Sequence, residues 1–171
     1  MKVLGIDPGT AVVGFGVVES GGGSLPFARL VECGVFRTGA RDPLPVRLQI
    51  IHDEVAALIA RHRPSVVAVE SVFYGRNVRT TVALAHARGV ILLAAQEANV
   101  PLAEYSPALV KKTVVGRGAA LKPQVGFMVA QLLRLQSPPQ PADAADGVAI
   151  ALTHLLTAAP RGFRSVARSR P

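Results

Sequence analysis

The stretch "VLGIDPGTAVVGFGVV", residues 3–18, contains two predicted strands with a carboxylate between them. Val3, Leu4 and Ile6 belong to the first strand, and a valine-rich segment punctuated by glycine follows the turn-forming "PGT". Asp7 ends the first strand, where the pattern otherwise predicts another apolar residue. Because a buried carboxylate is costly without a partner, Asp7 is a candidate functional residue.

Hydrophobic periodicity extends this prediction along the chain. Strands are predicted over residues 1–7, 11–19, 27–38, 65–70 and 100–105, and helices over 42–63, 77–98, 122–135 and 142–158. Three strands in a meander, followed by alternating strands and helices, predict an α/β domain with a mixed sheet. The length predicts one domain, residues 1–160, followed by a basic, disordered tail over 161–171 that holds four arginines.

The chain carries an excess of positive charge, with 19 Lys and Arg against 11 Asp and Glu and a net charge of +8. Residues 71–134 alone hold eight basic residues and two acids. Such an excess predicts a polyanionic partner, and nucleic acid is the commonest polyanion in a cytosol. A nucleic-acid-binding protein without catalytic activity would have the same charge, so charge alone does not indicate an enzyme.

The sequence predicts a cytoplasmic protein. Its single cysteine, Cys33, excludes an internal disulfide and fits a reducing compartment. Only four residues separate Lys2 from Asp7, which predicts that no signal peptide is present. The longest apolar stretch, residues 147–159, is interrupted by polar residues and is shorter than the roughly 20 residues that a bilayer requires.

Three further acids occupy positions that resemble that of Asp7. Glu70 ends the strand "SVVAVE", and ligand sites in open α/β sheets collect beyond the carboxyl ends of strands. Asp143 and Asp146 are three residues apart at the start of a predicted helix, so they share one face. Taken singly, acids in a first turn are explained by the helix dipole. Four such acids out of 11 in the chain instead predict one clustered site.

A carboxylate cluster of this kind requires a counter-charge, because its members repel one another. Oxygen-only ligands select hard divalent cations, so the prediction is Mg²⁺ or Mn²⁺. Two such ions about 4 Å apart support in-line hydrolysis of a phosphodiester. Together with the basic surface, the cluster predicts a metal-dependent nuclease in which Asp7, on the central strand, lies between both ions.

The chain resembles the RuvC family of crossover junction endodeoxyribonucleases over nearly its full length. The segments that carry the resemblance are "LGIDPGT", "VESVFYGRN", "ARGVILLAA", "VKKTVVGRGAALKPQV" and "ADAADGVAIALTH". The resemblance implies a ribonuclease H-like fold with a five-stranded sheet and a homodimer. It also implies Mg²⁺-dependent, symmetrical nicking of Holliday (four-way) DNA junctions in recombination and repair. A branch-migration motor complex, RuvA–RuvB, is the further partner that the resemblance implies.

The family's functional residues match positions in this chain. Its catalytic carboxylates, which are also its metal ligands, fall on Asp7, Glu70, Asp143 and Asp146. Its DNA-contacting lysines fall on Lys111 and Lys122, and its aromatic residue near the junction point falls on Phe73. This chain departs from the family pattern in having a second aromatic, Tyr74, and a proline directly after Lys122.

The basic and aromatic residues around these motifs are candidate DNA contacts. Phe73 and Tyr74 are either core residues or platforms for an unpaired base. Arg76 and Arg79 are placed to reach phosphates. Lys111, Lys112 and Arg117 lie in a predicted turn-rich segment, where they either contact DNA or form a solvated loop. Lys122 begins a helix, where a cation opposes the dipole, which favours a phosphate partner or a role in neutralising transition-state charge.

Three other functions fit parts of the pattern. "GIDPGT" also resembles the first phosphate loop of sugar kinases and actin-like ATPases, which need two such domains. Another ribonuclease H-like nuclease would act on flaps or RNA–DNA hybrids, and a non-catalytic junction-binding protein would not need four carboxylates. The predicted helix over 77–98 favours a dimer and hence a two-fold substrate. Its small residues, which permit close packing, are Ala83, Ala87, Gly89 and Ala94.

Overall fold

A five-stranded mixed sheet forms the centre of the protein. The computed structural model describes residues 1–21, 27–39, 41–71 and 78–158. Its strands are β1 (Lys2–Asp7), β2 (Val12–Ser20), β3 (Ala28–Arg37), β4 (Val66–Glu70) and β5 (Leu102–Tyr105). Their order in the sheet is β3-β2-β1-β4-β5, with β1–β2 and β2–β3 antiparallel and β1–β4 and β4–β5 parallel. The predicted mixed sheet is confirmed, and β1 is its middle strand.

Five helices flank the sheet in the described part of the chain. They are α1 (Leu44–His62), α2 (Val78–Glu97), α3 (Pro107–Val115), α4 (Lys122–Leu133) and α5 (Ala142–Ala158). The strands and four of the helices agree with the sequence prediction to within two residues at each end. The predicted tail, residues 161–171, lies outside the described residues.

The sequence predicts a turn-rich segment where the structure has helix α3, so this prediction is wrong. Ser106 caps the helix, since the backbone N–H of Leu109 donates to Ser106 Oγ at 3.2 Å. Pro107 occupies the first turn, where the missing N–H of proline has no cost. Gly116 ends the helix with a left-handed φ of 90°. Both end signals were present in the sequence, but only nine residues separate them.

The two faces of the sheet are both covered by helices. Leu4 and Ile6 of β1 belong to a buried cluster with residues of α1 and α2. Val3 belongs to the opposite cluster, which contains residues of α3, α4 and α5. Side chains alternate along a strand, so Asp7 lies on the same side as Val3, toward α5. Burial on both faces explains why β1 is continuously apolar up to Asp7.

Helix α5 lies directly on β1 and β2, and glycine makes this close approach possible. A Cβ added at Gly5 would overlap the carbonyl oxygen of Gly147 in α5. Ten residues of α5 are buried, which places the middle of the helix in the core, while Ala142 at its beginning and Thr157 and Ala158 at its end are exposed. The glycines that punctuate the opening stretch therefore fix the position of the helix that carries Asp143 and Asp146.

Within the described part of the chain, helix α2 is long enough and apolar enough to cross a membrane, judged by length and composition alone. This is a weak indication, since helices from the core of soluble proteins pass the same test. Ala87, Ile91 and Ala94 on one side of α2 are buried in the cluster shared with α1. We therefore interpret α2 as a helix packed on the sheet domain.

Candidate active site

Two of the predicted site residues end adjacent parallel strands. Ile6 of β1 pairs with Val69 of β4, so Asp7 and Glu70 follow at neighbouring positions on the same edge of the sheet. Glu70 shares its side of β4 with Ala68, which is buried in the cluster with α5. The side chains of Asp7 and Glu70 are hydrogen-bonded to each other. The strand order thus explains how two distant acids in the sequence meet.

Helix α5 brings the other two predicted carboxylates to this edge. Ligand oxygens of Asp7, Asp143 and Asp146 all lie within 4.8 Å of one another. Gly14, the register partner of Asp7 in β2, permits this, because a Cβ at Gly14 would overlap the carbonyl oxygen of Asp143. The structure therefore brings all four predicted acids together, with Glu70 joined to the cluster through Asp7.

The cluster holds more negative charge than its surroundings stabilise. Burial raises the pKa of Asp7 to about 8, assisted by the hydrogen bond to Glu70 and by the charges of Glu70 and Asp146. Burial and the charge of Asp146 also raise the pKa of Glu70. Asp7 and Glu70 consequently share a proton at neutral pH when no metal is bound. A divalent cation relieves the same repulsion, and the four carboxylates are the hard oxygen donors that such a cation prefers.

Lys122 supplies part of the missing positive charge. Its Nζ donates hydrogen bonds to Asp146 Oδ2 at 2.6 Å and to Asp143 Oδ1 at 3.3 Å. Burial lowers the pKa of Lys122, but the hydrogen bond to Asp146 and the nearby carboxylates raise it overall, so the ammonium stays charged. The proline after Lys122 lies in the first turn of α4, where it fits without disturbing the helix. The structure places Lys122 against the carboxylates of the cluster.

An open cleft of about 240 Å³ leads to these carboxylates. Asp7, Glu70 and Asp146 line one part of it, and Lys111 of α3 and Lys122 line another. The remaining walls are the apolar side chains of Pro107, Val110, Val125 and Ile150. The cleft therefore combines an acidic floor with a basic wall, an arrangement that suits a phosphodiester brought next to a metal site.

Of the other predicted basic residues, only Lys111 lines the cleft within the described part of the chain. Lys111 and Lys112 lie on α3, which corrects the prediction of a turn-rich segment, and Lys112 faces solvent while Lys111 is half-buried. Arg117 is exposed in the turn after α3, and Arg79 is exposed in the first turn of α2. Phe73, Tyr74 and Arg76 lie outside the described residues.

Sequence reasoning assigned no role to His154, yet the structure joins it to a strand next to the site. Tyr105 ends β5 as the register partner of Glu70. The Tyr105 hydroxyl lies 2.8 Å from His154 Nδ1 and 3.3 Å from Thr157 Oγ1. Burial lowers the pKa of His154, so the imidazole is neutral at pH 7. The parallel pairing of β4 with β5 was the signal that could have placed Tyr105 beside Glu70.

Comparison with known proteins identifies the family of this chain. A model of the crossover junction endodeoxyribonuclease RuvC family matches residues 3–154. The RuvC family includes this chain. A crossover junction endodeoxyribonuclease RuvC from Syntrophomonas wolfei is 48% identical over 155 residues, which cover 91% of this chain and 88% of that protein.

Solved structures agree with the assignment to the RuvC family. Thermus thermophilus RuvC in complex with Holliday junction substrate matches with a TM-score of 0.85 and 40% identity, covering 92% of this chain and 94% of that one. The yeast mitochondrial Holliday junction resolvase is 17% identical with a TM-score of 0.62, over 90% of this chain and 78% of that one, and so shares the fold. The predicted ribonuclease H-like α/β fold is confirmed.

Proposed function

We propose that this protein is an endonuclease that resolves Holliday junctions by paired, symmetrical nicks in strands of like polarity. The observation that carries the proposal is the convergence of Asp7, Glu70, Asp143 and Asp146 at one sheet edge, within a chain of the RuvC family. Such a cluster is suited to hydrolysis of a phosphodiester. Homologous recombination and DNA repair are the processes in which it would act.

The reaction requires a divalent metal, and we propose Mg²⁺ or Mn²⁺ with two ions per site. The four carboxylates would hold the ions, which activate water and stabilise the leaving oxygen. The raised pKa of Asp7 supports this assignment, because the cluster already binds a proton and the Lys122 ammonium in place of a metal ion. Lys122 Nζ holds one oxygen of Asp146, and an ion bound to that carboxylate would compete with the lysine and leave its charge available to a phosphate.

Four-way junction DNA is the proposed partner of the basic residues around the cleft. Lys111 and Lys122 line the cleft. Lys112, Arg117 and Arg79 are exposed, and we propose that they contribute further phosphate contacts. Phosphate contacts of this kind fix orientation without reading sequence. From the sequence, we also propose that Phe73 and Tyr74 stack on an unpaired base at the crossover and that Arg76 contacts a phosphate.

We further propose a homodimer that uses the outer side of α2. Val82 and Leu93 are each 49% exposed, and a Cβ added at Gly89 between them would meet open space. Ala87 and Ala94 face the core of their own subunit, so those two small residues serve the packing of α2 on the sheet. An isologous contact through Val82, Gly89 and Leu93 would place two sites about one axis.

The remaining proposals concern the setting in which the protein works. Residues 1–160 form the nuclease domain, and residues 161–171 form a basic tail that adds positive charge near DNA. The protein acts in the cytoplasm, and a branch-migration motor complex, RuvA–RuvB, presents the junction to it.

A substrate panel with one site variant tests this function. The wild-type protein with Mg²⁺ should nick a four-way junction, but not a flap, an RNA–DNA hybrid or ATP. Asp146→Asn should keep junction binding while nicking falls at least about 100-fold, because a ligand is lost and the basic surface is not. Asp53→Asn, which removes an exposed acid on α1, is the matched control and should nick normally.

Two outcomes would contradict the proposal. Preferential cleavage of a flap or hybrid would assign a different substrate to the same site. Nicking by Asp146→Asn at more than about a tenth of the wild-type rate under saturating Mg²⁺ would remove the cluster from catalysis.

A further inference from the structure

A polar contact holds the turn that follows Asp7. Arg47, in α1, donates from Nε to the carbonyl oxygen of Thr10 at 2.9 Å and to Thr38 Oγ1 at 3.0 Å. The Arg47 Nη2 group also donates to the Thr10 carbonyl, and Thr38 Oγ1 donates to it at 2.5 Å. Three donors from two elements therefore converge on one backbone oxygen. We refer to Arg47, Thr38 and the Thr10 carbonyl as the turn clamp.

Arg47 occupies an electrostatically unfavourable position, and its hydrogen bonds compensate for this. The residue lies near the beginning of α1, where the partial positive charge of the helix opposes a cation. The Thr38 side chain is only 8% exposed, so its hydroxyl depends on the clamp for hydrogen bonds. Charge-assisted hydrogen bonds are about twice as strong as neutral ones, and two of them point at the Thr10 carbonyl.

The clamp acts where the sheet no longer holds β1 on both sides. Pairing of β1 with β4 ends at Ile6, and Asp7 pairs only with Gly14 of β2. Beyond Asp7 the chain enters a turn over residues 8–11. Thr10, in this turn, is three residues after Asp7. The backbone N–H of Thr38 donates to the Ala11 carbonyl at 3.1 Å, which fixes the far end of the same turn.

We propose that Arg47 and Thr38 are positioning residues for Asp7. By fixing the Thr10 carbonyl, the turn clamp holds the Asp7 carboxylate against Asp143 and Asp146 in the geometry that a divalent cation requires. This inference rests on the proposed function, since it assumes that Asp7 is a metal ligand. Groups that hydrogen-bond directly to metal ligands commonly change metal affinity by about 10–100-fold when mutated. The turn clamp acts three residues away from Asp7, so we expect an effect at the lower end of that range.

Three variants test the turn clamp, and a fourth variant serves as their control. Arg47→Met removes the guanidinium, Arg47→Lys keeps one charged donor, and Thr38→Val removes the buried hydroxyl with little change in shape. Arg61→Met is the control, because Arg61 lies at the other end of α1 and pairs with Glu32. It has the same change in net charge as Arg47→Met. Asp7→Asn reports directly on the metal site.

The readout is the dissociation constant for Mn²⁺ in the absence of DNA, measured from the electron paramagnetic resonance signal of the free ion. Circular dichroism melts establish that each variant is folded at the assay temperature. We expect Arg47→Met to weaken Mn²⁺ binding at least about tenfold, with Thr38→Val and Arg47→Lys intermediate and Arg61→Met unchanged. If Arg47→Met does not fold, the other two clamp variants give the result.

The possible outcomes distinguish a failure of the turn clamp from a failure of the proposed metal site. Wild-type Mn²⁺ affinity in the folded clamp variants, together with lost binding in Asp7→Asn, would overturn the clamp and leave the proposed function intact. Unchanged binding in Asp7→Asn would overturn both. Weakened binding in Arg61→Met equal to that in Arg47→Met would show a general effect of charge and would also overturn the clamp.

Discussion

At the scale of single residues, Asp7 is the centre of the site. It ends the middle strand, shares a hydrogen bond with Glu70 and has its pKa raised to about 8 by burial and by neighbouring charge. In the metal-free protein this residue is therefore protonated over a range of pH in which an exposed aspartate is ionised. A carboxylate held in this state binds a cation by exchanging its proton for the metal.

The raised pKa of Asp7 predicts a particular dependence of stability on pH. Between the ordinary value of 3.8 and about 8, the unfolded chain has released the Asp7 proton while the folded protein keeps it. This contribution to the free energy of unfolding is therefore complete below about pH 4 and is lost as the pH rises toward 8. Thermal melts in a chelator should show a melting temperature that falls over this range in wild type and falls less in Asp7→Asn. Equal pH dependence in the two proteins would contradict the assigned pKa.

The sequence was sufficient to predict that the four acids meet, but not how their charge is balanced. Parallel strands end at a common sheet edge, which made the proximity of Asp7 and Glu70 predictable. The bonds from Lys122 to Asp146 and from Arg47 to Thr10 join residues that are 24 and 37 positions apart. Such contacts depend on how helices pack on the sheet, and no local pattern contains that information. The roles of these residues stay predictions until they are tested.

At the scale of secondary structure elements, α3 changes how the basic segment is understood. A helix holds Lys111 and Lys112 at adjacent positions, about 100° apart around its axis, so they cannot both face the cleft. Lys111 lines the cleft and Lys112 faces solvent. Periodicity did not identify α3 because its nine residues give only about two and a half helical turns, while the longer helices repeat their pattern more than about three times.

Helix α3 makes a prediction about the salt dependence of DNA binding. Replacing Lys111 and Lys112 with alanine should weaken binding to all DNA alike and reduce the log–log salt slope by about one to two units. The slope is measured by titrating labelled junction and duplex DNA at several salt concentrations. Arg29→Ala is the control, because Arg29 pairs with Glu19 at the end of the sheet opposite Asp7. An unchanged slope in the double variant would mean that α3 is a solvated helix without phosphate contacts.

At the scale of the whole molecule, different helices cover the two faces of the sheet. Helices α3, α4 and α5 on one face carry or surround the cleft, while α1 and α2 cover the other face. The apolar residues that α2 exposes, among them Val82 and Leu93, lie on this second layer. The proposed dimer through α2 would leave both clefts open, as a four-way junction with near two-fold symmetry requires.

The proposed mechanism requires that each copy of the chain contains a complete carboxylate site that cuts one strand. Its most direct test is a mixed dimer of wild type and Glu70→Gln, isolated with two affinity tags and incubated with a cruciform plasmid and Mg²⁺. We expect it to bind the junction and make one nick per encounter, giving nicked circles where the wild-type dimer gives linear DNA. Linear product at the wild-type rate from a verified mixed dimer would contradict one site per strand, and loss of all nicking would show a site shared between subunits.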